Sequence, residues 1–164
     1  MRTRSLLPSD RAQLIDILSQ GAGFRSEEIE CAIELIDGAL APSDQGQSEK
    51  NGYEVRVAVE DDNNDRVLGY ACFGATPMTA AAYDLYWLVV AEAARGRGIG
   101  AALCSAVGDE LKGRGGRVIR VETSSLEGQG GARRFYEKVG FRLAGAIPDF
   151  YRDGDDLLVF AKGL

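Results

Sequence analysis

The sequence of 164 residues contains no histidine. Without an imidazole group, a Ser-His-Asp triad, a Cys-His nucleophile pair and a zinc site with histidine ligands are excluded. The three cysteines, Cys31, Cys72 and Cys104, are far apart and form no CxxC pair, so we expect neither a disulfide framework nor a zinc ribbon. No apolar run approaches the roughly 18 residues of a membrane span, and the N-terminus is too poor in apolar residues for a signal peptide. We therefore expect a cytoplasmic protein with no metal site and no membrane partner.

Glycine and acidic residues, by contrast, are abundant. Glycine occupies 21 of the 164 positions, against a usual share of about 7%, and the net charge is −6. The charge is uneven, because residues 92–142 carry ten Lys/Arg and six Asp/Glu, a local +4, which leaves −10 for the rest of the chain. An acidic protein repels nucleic acid, and the positive segment coincides with the glycine-rich stretch. The pattern favours a small anionic ligand over nucleic acid, although scattered surface charge would give the same count.

Hydrophobic periodicity predicts an α/β protein with one domain, residues 1–164. Two amphipathic helices come first. They are followed by strands at 55–59, 67–73 and 85–90, a helix at 99–111, a strand at 117–121, a helix at 132–139, and strands at 141–147 and 156–160. The first two strands flank a turn-forming segment and predict a hairpin, while the third is apolar on both sides and predicts a central strand. This order implies a mixed sheet with helices on both faces.

The segment Arg95–Ala101 (RGRGIGA) lies between the central strand and the amphipathic helix that follows it. Glycine lets a backbone turn sharply and approach a ligand closely, because no Cβ is in the way. The first turn of a helix also presents unpaired N–H groups and a partial positive charge, which suits a diphosphate. Arg95 and Arg97 would add charge-assisted hydrogen bonds. A plain glycine-rich connection is the alternative.

Two other phosphate-binding patterns fit this segment less well. A P-loop needs GxxxxGK[ST], and no such Lys-Ser/Thr pair is present. The dinucleotide-binding pattern G-x-G-x-x-A is matched by Gly96, Gly98 and Ala101, with Glu122 about 20 residues on as a ribose-binding acid. However, residues 91–95 separate the strand from the first glycine, and too few strands follow for two mononucleotide-binding halves. An NAD-binding oxidoreductase domain stays an alternative.

A further pattern, [Arg/Gln]-x-x-Gly-x-[Gly/Ala], is matched by Arg95, Gly98 and Gly100. Together with residues 132–141 (ARRFYEKVGF), this segment resembles the GNAT N-acetyltransferase superfamily, and the element order is similar over nearly the whole chain. The resemblance implies an α/β fold of the GNAT type. Such a fold has a central mixed β-sheet of about seven strands with splayed central parallel strands, flanked by about four helices.

The resemblance also implies acetyl-CoA as co-substrate, with its phosphates on the glycine loop and its pantetheine arm between the splayed strands. The CoA-binding residues implied by position are Leu88, Val89, Val90, Arg95, Gly96, Arg97, Gly98, Ile99, Gly100, Ala101, Gln129 and Arg133. Among these, Leu88 and Val90 would offer backbone groups to pantetheine and to the thioester carbonyl. The sequence departs from the family pattern at Gln129, where asparagine is common, and at Glu92, where proline is common.

Acetyl transfer to an amine needs a base, because an alkylammonium of pKa ~10.4 is only about one part in 10³ neutral at pH 7. With no histidine, a carboxylate acting directly or through water is the available group. The resemblance implies two candidates, Glu122 at a strand end and Asp84 on the central strand. It also places Tyr136 near the CoA sulfur, where its hydroxyl would hydrogen-bond to the leaving thiolate. A strand-end carboxylate and a core tyrosine are the alternatives, and Cys104 is expected to pack in the core.

Aromatic residues supply the candidate walls of an acceptor site. They are Phe24, Tyr86, Trp87, Phe150 and Tyr151. Four aspartates in the C-terminal turn, together with the local −10, favour a cationic acceptor. We therefore expect direct acetyl transfer to a small cationic amine or amino acid. Peptide or protein N-termini are the alternative acceptors, and a non-catalytic acyl-CoA-binding module is the alternative class. A homodimer is compatible with the sequence, although no pattern predicts it.

Overall fold

The computed structural model describes residues 1–20, 24–41, 52–61, 65–126 and 131–164. Its elements are β1 (Arg2–Ser5), α1 (Arg11–Gln20), α2 (Ser26–Leu40), β2 (Glu54–Val59), β3 (Val67–Ala75), β4 (Ala82–Val90), α3 (Ile99–Gly113), β5 (Val118–Ser124), α4 (Gly131–Lys138), β6 (Arg142–Arg152) and β7 (Asp155–Gly163). Short 3-10 turns at Pro8–Asp10 and Glu92–Ala94 precede α1 and α3. Of the helices described, none is long and apolar enough to cross a membrane.

The strands form one sheet in the order β1-β2-β3-β4-β5-β7-β6. Only β4 and β5 are parallel, and every other neighbouring pair is antiparallel. The predicted mixed sheet of about seven strands is confirmed, and so is the hairpin of β2 and β3. β1 lies outside the sequence prediction because its residues, RTRS, include no apolar side chain. Its conformation is defined by pairing with β2, which begins at Arg2↔Val59.

Two hydrophobic clusters, one on each face of the sheet, hold the helices in place. On one face, α1 and α2 cover β2, β3 and β4, and α1 buries Leu14 and Leu18, which are one helical turn apart. On the other face, α3 and α4 cover the sheet. The buried side chains of α3 recur at helical spacing and include Ile99, Leu103, Val107 and Leu111. The predicted helix layers on both faces are therefore confirmed.

Part of the sheet has a helix layer on only one side. Ile119 and Val121 of β5 pack in the cluster under α3, so the alternating residues Arg120 and Glu122 point to the opposite face. There, the cluster under α1 and α2 contains no described residue of β5, β6 or β7. Arg120 and Glu122 are accordingly exposed. We call this side of β5, β7 and β6 the open face.

The parallel strands β4 and β5 are paired over only part of their length. Their register runs from Ala82↔Val118 to Leu85↔Val121. Beyond that point, β4 stays paired with β3 and β5 stays paired with β7 to the ends of the strands. A gap therefore opens between two central strands that are each held from their outer side. This gap is the predicted splay, which is confirmed.

An irregularity in β4 lies at the point where the gap begins. The register of β3 and β4 shifts between Cys72 and Phe73, and Tyr86 is the extra residue that β4 inserts there. Such a bulge bends a strand and increases its twist. The last paired residue of β5 is followed by Glu122, so Tyr86 and Glu122 are the first residues of their strands inside the gap.

β6 is longer than the sequence predicts. The strand expected at 141–147 continues to Arg152, so Phe150 and Tyr151, which precede the last strand as predicted, lie within β6. Every residue of β6 is exposed, so no alternation of buried and exposed positions marks its continuation beyond Ile147. Pro148 also argues against a strand, but β6 lies at the edge of the sheet, where a proline is tolerated.

Candidate active site

The glycine loop leads directly into the N-terminus of α3. Gly96 has φ +77° and Gly98 has φ +80°, values in the left-handed region that favours glycine. A Cβ placed on either residue would meet no atom within 4 Å, so the main chain faces open space. Gly98 precedes the first helical residue, and no side chain caps the helix. The first N–H groups of α3 are therefore available to an anion such as a diphosphate.

The helix α4 packs against the first turn of α3 at Gly100. A Cβ on this glycine would lie 3.1 Å from two ring atoms of Phe135, so a side chain there would force the ring to move. The next residue, Tyr136, is buried, and its ring lies 5.3 Å from Phe135, 5.5 Å from Phe141 and 5.8 Å from Phe160. The structure thus places Tyr136 in an aromatic cluster beside the start of α3. This position agrees with the alternative that Tyr136 is a core residue. The contact of its hydroxyl with the CoA sulfur stays a prediction.

The basic side chains around the loop have different surroundings. Arg97 donates from both terminal nitrogens to Glu60, at 2.9 and 3.2 Å, which lowers the pKa of that carboxyl. Arg133 donates to Glu137 at 3.0 Å. Arg95 is exposed and has no acidic partner among the described residues. Arg97 would therefore have to leave Glu60 to contact a phosphate, whereas Arg95 would not. Gln129 lies outside the described residues.

The predicted CoA-binding strand is open on the side that faces β5. Leu88 pairs with Ala71 and Val90 with Gly69 on β3, while neither has a partner on β5. The side chains of Leu88 and Val90 pack against the cluster under α3, and Val89 is buried in the cluster on the other face. The side chains at this end of β4 therefore pack in the core, while its main-chain edge toward β5 is unpaired. An extended pantetheine arm needs such an edge.

Both candidate bases lie on the open-face side of the parallel pair, and Arg120 joins them. Asp84 is buried, its Oδ1 accepts a hydrogen bond from Arg120 Nε at 2.7 Å, and its Oδ2 accepts one from Thr76 Oγ1 at 2.9 Å. The side chain of Glu122 is 45% exposed, and its Oε1 lies 3.3 Å from Arg120 Nη1. The hydrogen bond to Asp84 raises the pKa of Arg120. Sequence reasoning missed Arg120, which the register of β4 and β5 places beside Asp84, and Thr76, which the turn between β3 and β4 brings to Asp84.

The predicted aromatic residues form two separate groups. Phe24 contacts Trp87 edge to face, with ring centroids 5.5 Å apart. Beside them, Tyr86 makes a similar contact with Tyr53, at 5.2 Å, and burial together with the charge of Asp84 raises its pKa. Tyr53 was not among the predicted residues, since no motif marks it. The other pair, Phe150 and Tyr151, has its rings 5.1 Å apart near the end of β6.

The aspartates of the C-terminal turn are mostly engaged within the turn. Asp155 is buried and accepts a hydrogen bond from Ser124 at the end of β5. Asp149 accepts the N–H of Gly154 at 2.7 Å, and Asp156 accepts the N–H of Asp149 at 3.0 Å. These contacts tie the turn to the end of β5. The prediction that all four aspartates attract a cation is therefore weakened. Three of them hold the turn together, so the turn offers only a general negative charge.

The cysteines have no catalytic surroundings. Burial raises the pKa of Cys104 to about 11 and that of Cys72 to about 12, while Cys31 is exposed. A thiol of such high pKa is a poor nucleophile near neutral pH. The structure therefore agrees with core packing for Cys104. Among the described residues, no group of acidic residues and cysteines could hold a metal ion.

A family model described as an acetyltransferase (GNAT) domain matches residues 51–143, more than half of the chain. The chain belongs to the GNAT acetyltransferase family. Membership in the GNAT family confirms the predicted resemblance and the enzyme class, an acetyltransferase that uses acetyl-CoA as co-substrate. The glycine loop matches both the GNAT pattern and the dinucleotide-binding pattern, and membership in the GNAT family excludes the dinucleotide-binding one. A search of curated protein sequences gave no match.

Solved structures agree with this family and with the fold. A protein from Desulfovibrio desulfuricans assigned to the GNAT family is 35% identical, with a TM-score of 0.87 and coverage of 99% of this chain and 98% of that one. An aminoglycoside 6'-N-acetyltransferase complexed with coenzyme A is 20% identical, with a TM-score of 0.72 and coverage of 99% and 97%. The ribosomal-protein-S18-alanine N-acetyltransferase of Escherichia coli is 20% identical, with a TM-score of 0.73 and coverage of 99% and 92%. The last two likenesses show the fold alone.

Proposed function

We propose that this GNAT protein transfers the acetyl group of acetyl-CoA to a small cationic primary amine by direct attack in a ternary complex, with Glu122 as general base. The observation that carries the proposal is the separation of β4 from β5 after Leu85 and Val121. It makes Glu122 the first residue of β5 inside the gap. The pantetheine arm beside β4 and the base Glu122 on β5 would thus meet at the start of the gap, where the open face begins.

The donor side is assigned to main-chain groups. The N–H groups at the start of α3 and the open space beside Gly96 and Gly98 suit the diphosphate of CoA. The unpaired edge of β4 from Tyr86 to Val90 suits the pantetheine arm. A main-chain N–H of this edge that points to the thioester oxygen would stabilise the tetrahedral intermediate, and losing such a donor typically costs about 3–4 kcal/mol.

The acceptor side is assigned to Glu122 rather than to Asp84. Both oxygens of Asp84 are already engaged, by Arg120 and by Thr76, and the carboxyl is buried. Glu122 is half exposed and has a contact with Arg120 alone among the ion pairs of the described residues. It can therefore accept the proton of an entering ammonium directly or through water. The neutral amine then attacks the thioester carbon, the C–S bond breaks, and the proton that the nitrogen still has to lose passes to the leaving thiolate, which a hydrogen bond from Tyr136 supports.

The cationic character of the acceptor is supported by charge. The chain outside residues 92–142 carries −10, and the aromatic ring of Tyr86 lies close enough to Asp84 for that carboxylate to raise its pKa. A cation gains from both features. Proteins with the same fold include an aminoglycoside acetyltransferase and a ribosomal-protein-S18-alanine acetyltransferase at equal identity, so the preference for a small amine rests on charge rather than on these likenesses. Phe150 and Tyr151 are proposed to contact the acceptor from β6.

The test is thiol release from acetyl-CoA with amines matched in size but not in charge: a diamine, an amino-acid amide, a dicarboxylic amino acid and short peptides. We expect the highest kcat/KM for the dication. Peptides as the best substrates would select the N-terminal alternative, and anionic amines as the only substrates would contradict the charge argument. If acetyl-CoA raises the melting temperature but no amine of this panel releases thiol, the acceptor lies outside the proposed class. The cytoplasmic location and the single domain stay predictions, and the homodimer stays untested.

A further inference from the structure

Arg120 bridges the carboxylates of Asp84 and Glu122, the two candidate bases predicted from the sequence. Its Nε donates to Asp84 at 2.7 Å, and its Nη1 lies 3.3 Å from Glu122. We propose that Arg120 is a positioning residue, which directs the Glu122 carboxylate toward the β4–β5 gap while Asp84 holds Arg120 from behind. The inference rests on the proposed function, because it requires Glu122 as the general base.

The support behind Arg120 is rigid. The register of the parallel strands places Asp84 directly beside Arg120. Asp84 is 8% exposed, and its second oxygen is held by Thr76 Oγ1 at 2.9 Å, so the carboxyl cannot rotate without breaking a hydrogen bond. A guanidinium is planar and carries donors on different edges, so one side chain can bridge two carboxylates. Asp84 is therefore a structural support in this proposal, and Glu122 is the residue that Arg120 directs.

Glu122 needs such direction because little else holds it. Its side chain is 45% exposed on the open face. A general base must lie within about 2.6–3.2 Å of the proton that it takes, and a misplacement of about 1 Å can cost roughly 100-fold in rate. An exposed ion pair adds little to stability. The contact between Arg120 and Glu122 therefore matters for orientation rather than for folding.

The first experiment places Arg120→Met in the natural chain and in the Glu122→Gln chain. In the natural chain, we expect kcat to fall about 10- to 100-fold with the KM for acetyl-CoA unchanged. In the Glu122→Gln chain, the same substitution should cause no further loss, since Arg120 acts through Glu122. Arg120→Lys should give an intermediate kcat, because an ammonium is a point charge that cannot bridge both carboxylates. Arg117→Gln, an exposed arginine just before β5, is the control and should behave like the natural chain.

A second variant separates positioning from folding. Arg120→Met leaves the buried Asp84 charge without its partner, which lowers stability. The double variant Asp84→Asn/Arg120→Met removes that charge, so its melting temperature should rise above that of Arg120→Met while kcat stays low. A return of kcat to the natural value would show that Arg120 only neutralises Asp84, and would overturn the inference.

The outcomes distinguish this inference from the proposed function. If the losses from Arg120→Met and Glu122→Gln add, Arg120 acts independently of Glu122 and the positioning role is wrong. If Glu122→Gln keeps the natural kcat, the base assignment itself fails, whatever Arg120 does.

Discussion

The donor side and the acceptor side of this active site are built in different ways. The proposed donor side consists of main-chain groups, namely the unpaired edge of β4 and the continuous segment Arg95–Gly100, whose path is set by two left-handed glycines. The proposed acceptor side combines Asp84 on β4 with Arg120 and Glu122 on β5. Arg120 and Glu122 follow Asp84 by 36 or more positions in the chain, and the register of the two strands brings the three residues together. A donor with a fixed structure can be recognised by local backbone geometry. The acceptor is selected by side chains that only the folded sheet brings together.

The largest expected effect breaks the acceptor side alone. Glu122→Gln removes the proposed base, so kcat/KM should fall by about 10²–10⁴. The dissociation constant of CoA should not change, because Glu122 lies on β5 whereas the proposed diphosphate site lies at the start of α3. Stopped-time thiol assays and calorimetric titration measure the two quantities. Glu30→Gln, an exposed carboxylate on α2, is the control. A parallel loss of CoA binding would contradict the separation of the two sides.

A substitution at Gly100 breaks the donor side through packing. The added Cβ of Gly100→Ala would lie 3.1 Å from the Phe135 ring, and overpacking of this kind costs about 1–3 kcal/mol. The free energy of unfolding in urea should fall by that amount, and the KM for acetyl-CoA should rise because α4 moves from α3. Phe135→Leu in the same chain should recover part of both losses. No recovery would mean that the ring is not the obstacle.

Tyr136→Phe tests the proposed hydrogen bond to the leaving thiolate. The substitution keeps the ring among Phe135, Phe141 and Phe160 and removes only the hydroxyl. A lost hydrogen bond to a developing thiolate should lower kcat by up to about tenfold, with little change in the KM of the amine. A kcat equal to that of the natural chain would leave Tyr136 as a core residue.

The smallest effect is expected from the cysteines, which neither side uses. With a pKa of about 11, Cys104 is about one part in 10³ thiolate at pH 8, and the fraction rises only as the pH approaches that value. Iodoacetamide at pH 8 should therefore label the exposed Cys31 first, as mass spectrometry would show. Cys104→Ala should keep kcat within about twofold. A large loss of kcat would revive a covalent acetyl-enzyme route.

Most of the donor side could be predicted from the sequence, because its information is local. The glycines of the loop, the strand before it and the helix after it are contiguous, so one pattern contains all of them. What the pattern could not contain is the pairing of Arg97 with Glu60, which depends on how the end of β2 approaches the loop. Packing of Phe135 on Gly100 was equally hidden, since it joins two helices.

The acceptor side could be predicted only as a set of candidates. Glu122 and Asp84 were both plausible by position, and no residue count could show that Asp84 is buried and held by Arg120 and Thr76. The edges of the sheet were also hard to predict. β1 has no apolar residue and was not predicted, while β6 was predicted only as far as Ile147, because none of its residues is buried.

The central claim, that main-chain groups at the start of α3 bind the diphosphate of CoA, is tested most directly by comparing Gly98→Ala with Gly115→Ala. Both glycines have positive φ, +80° and +83°, and open space around the missing Cβ, so each substitution should cost a similar 1–2 kcal/mol or so of stability. They flank opposite ends of the 15-residue α3, about 22 Å apart. By calorimetric titration, we predict that Gly98→Ala weakens CoA binding about tenfold or more and that Gly115→Ala does not change it. Equal CoA affinities in the two variants would contradict the account.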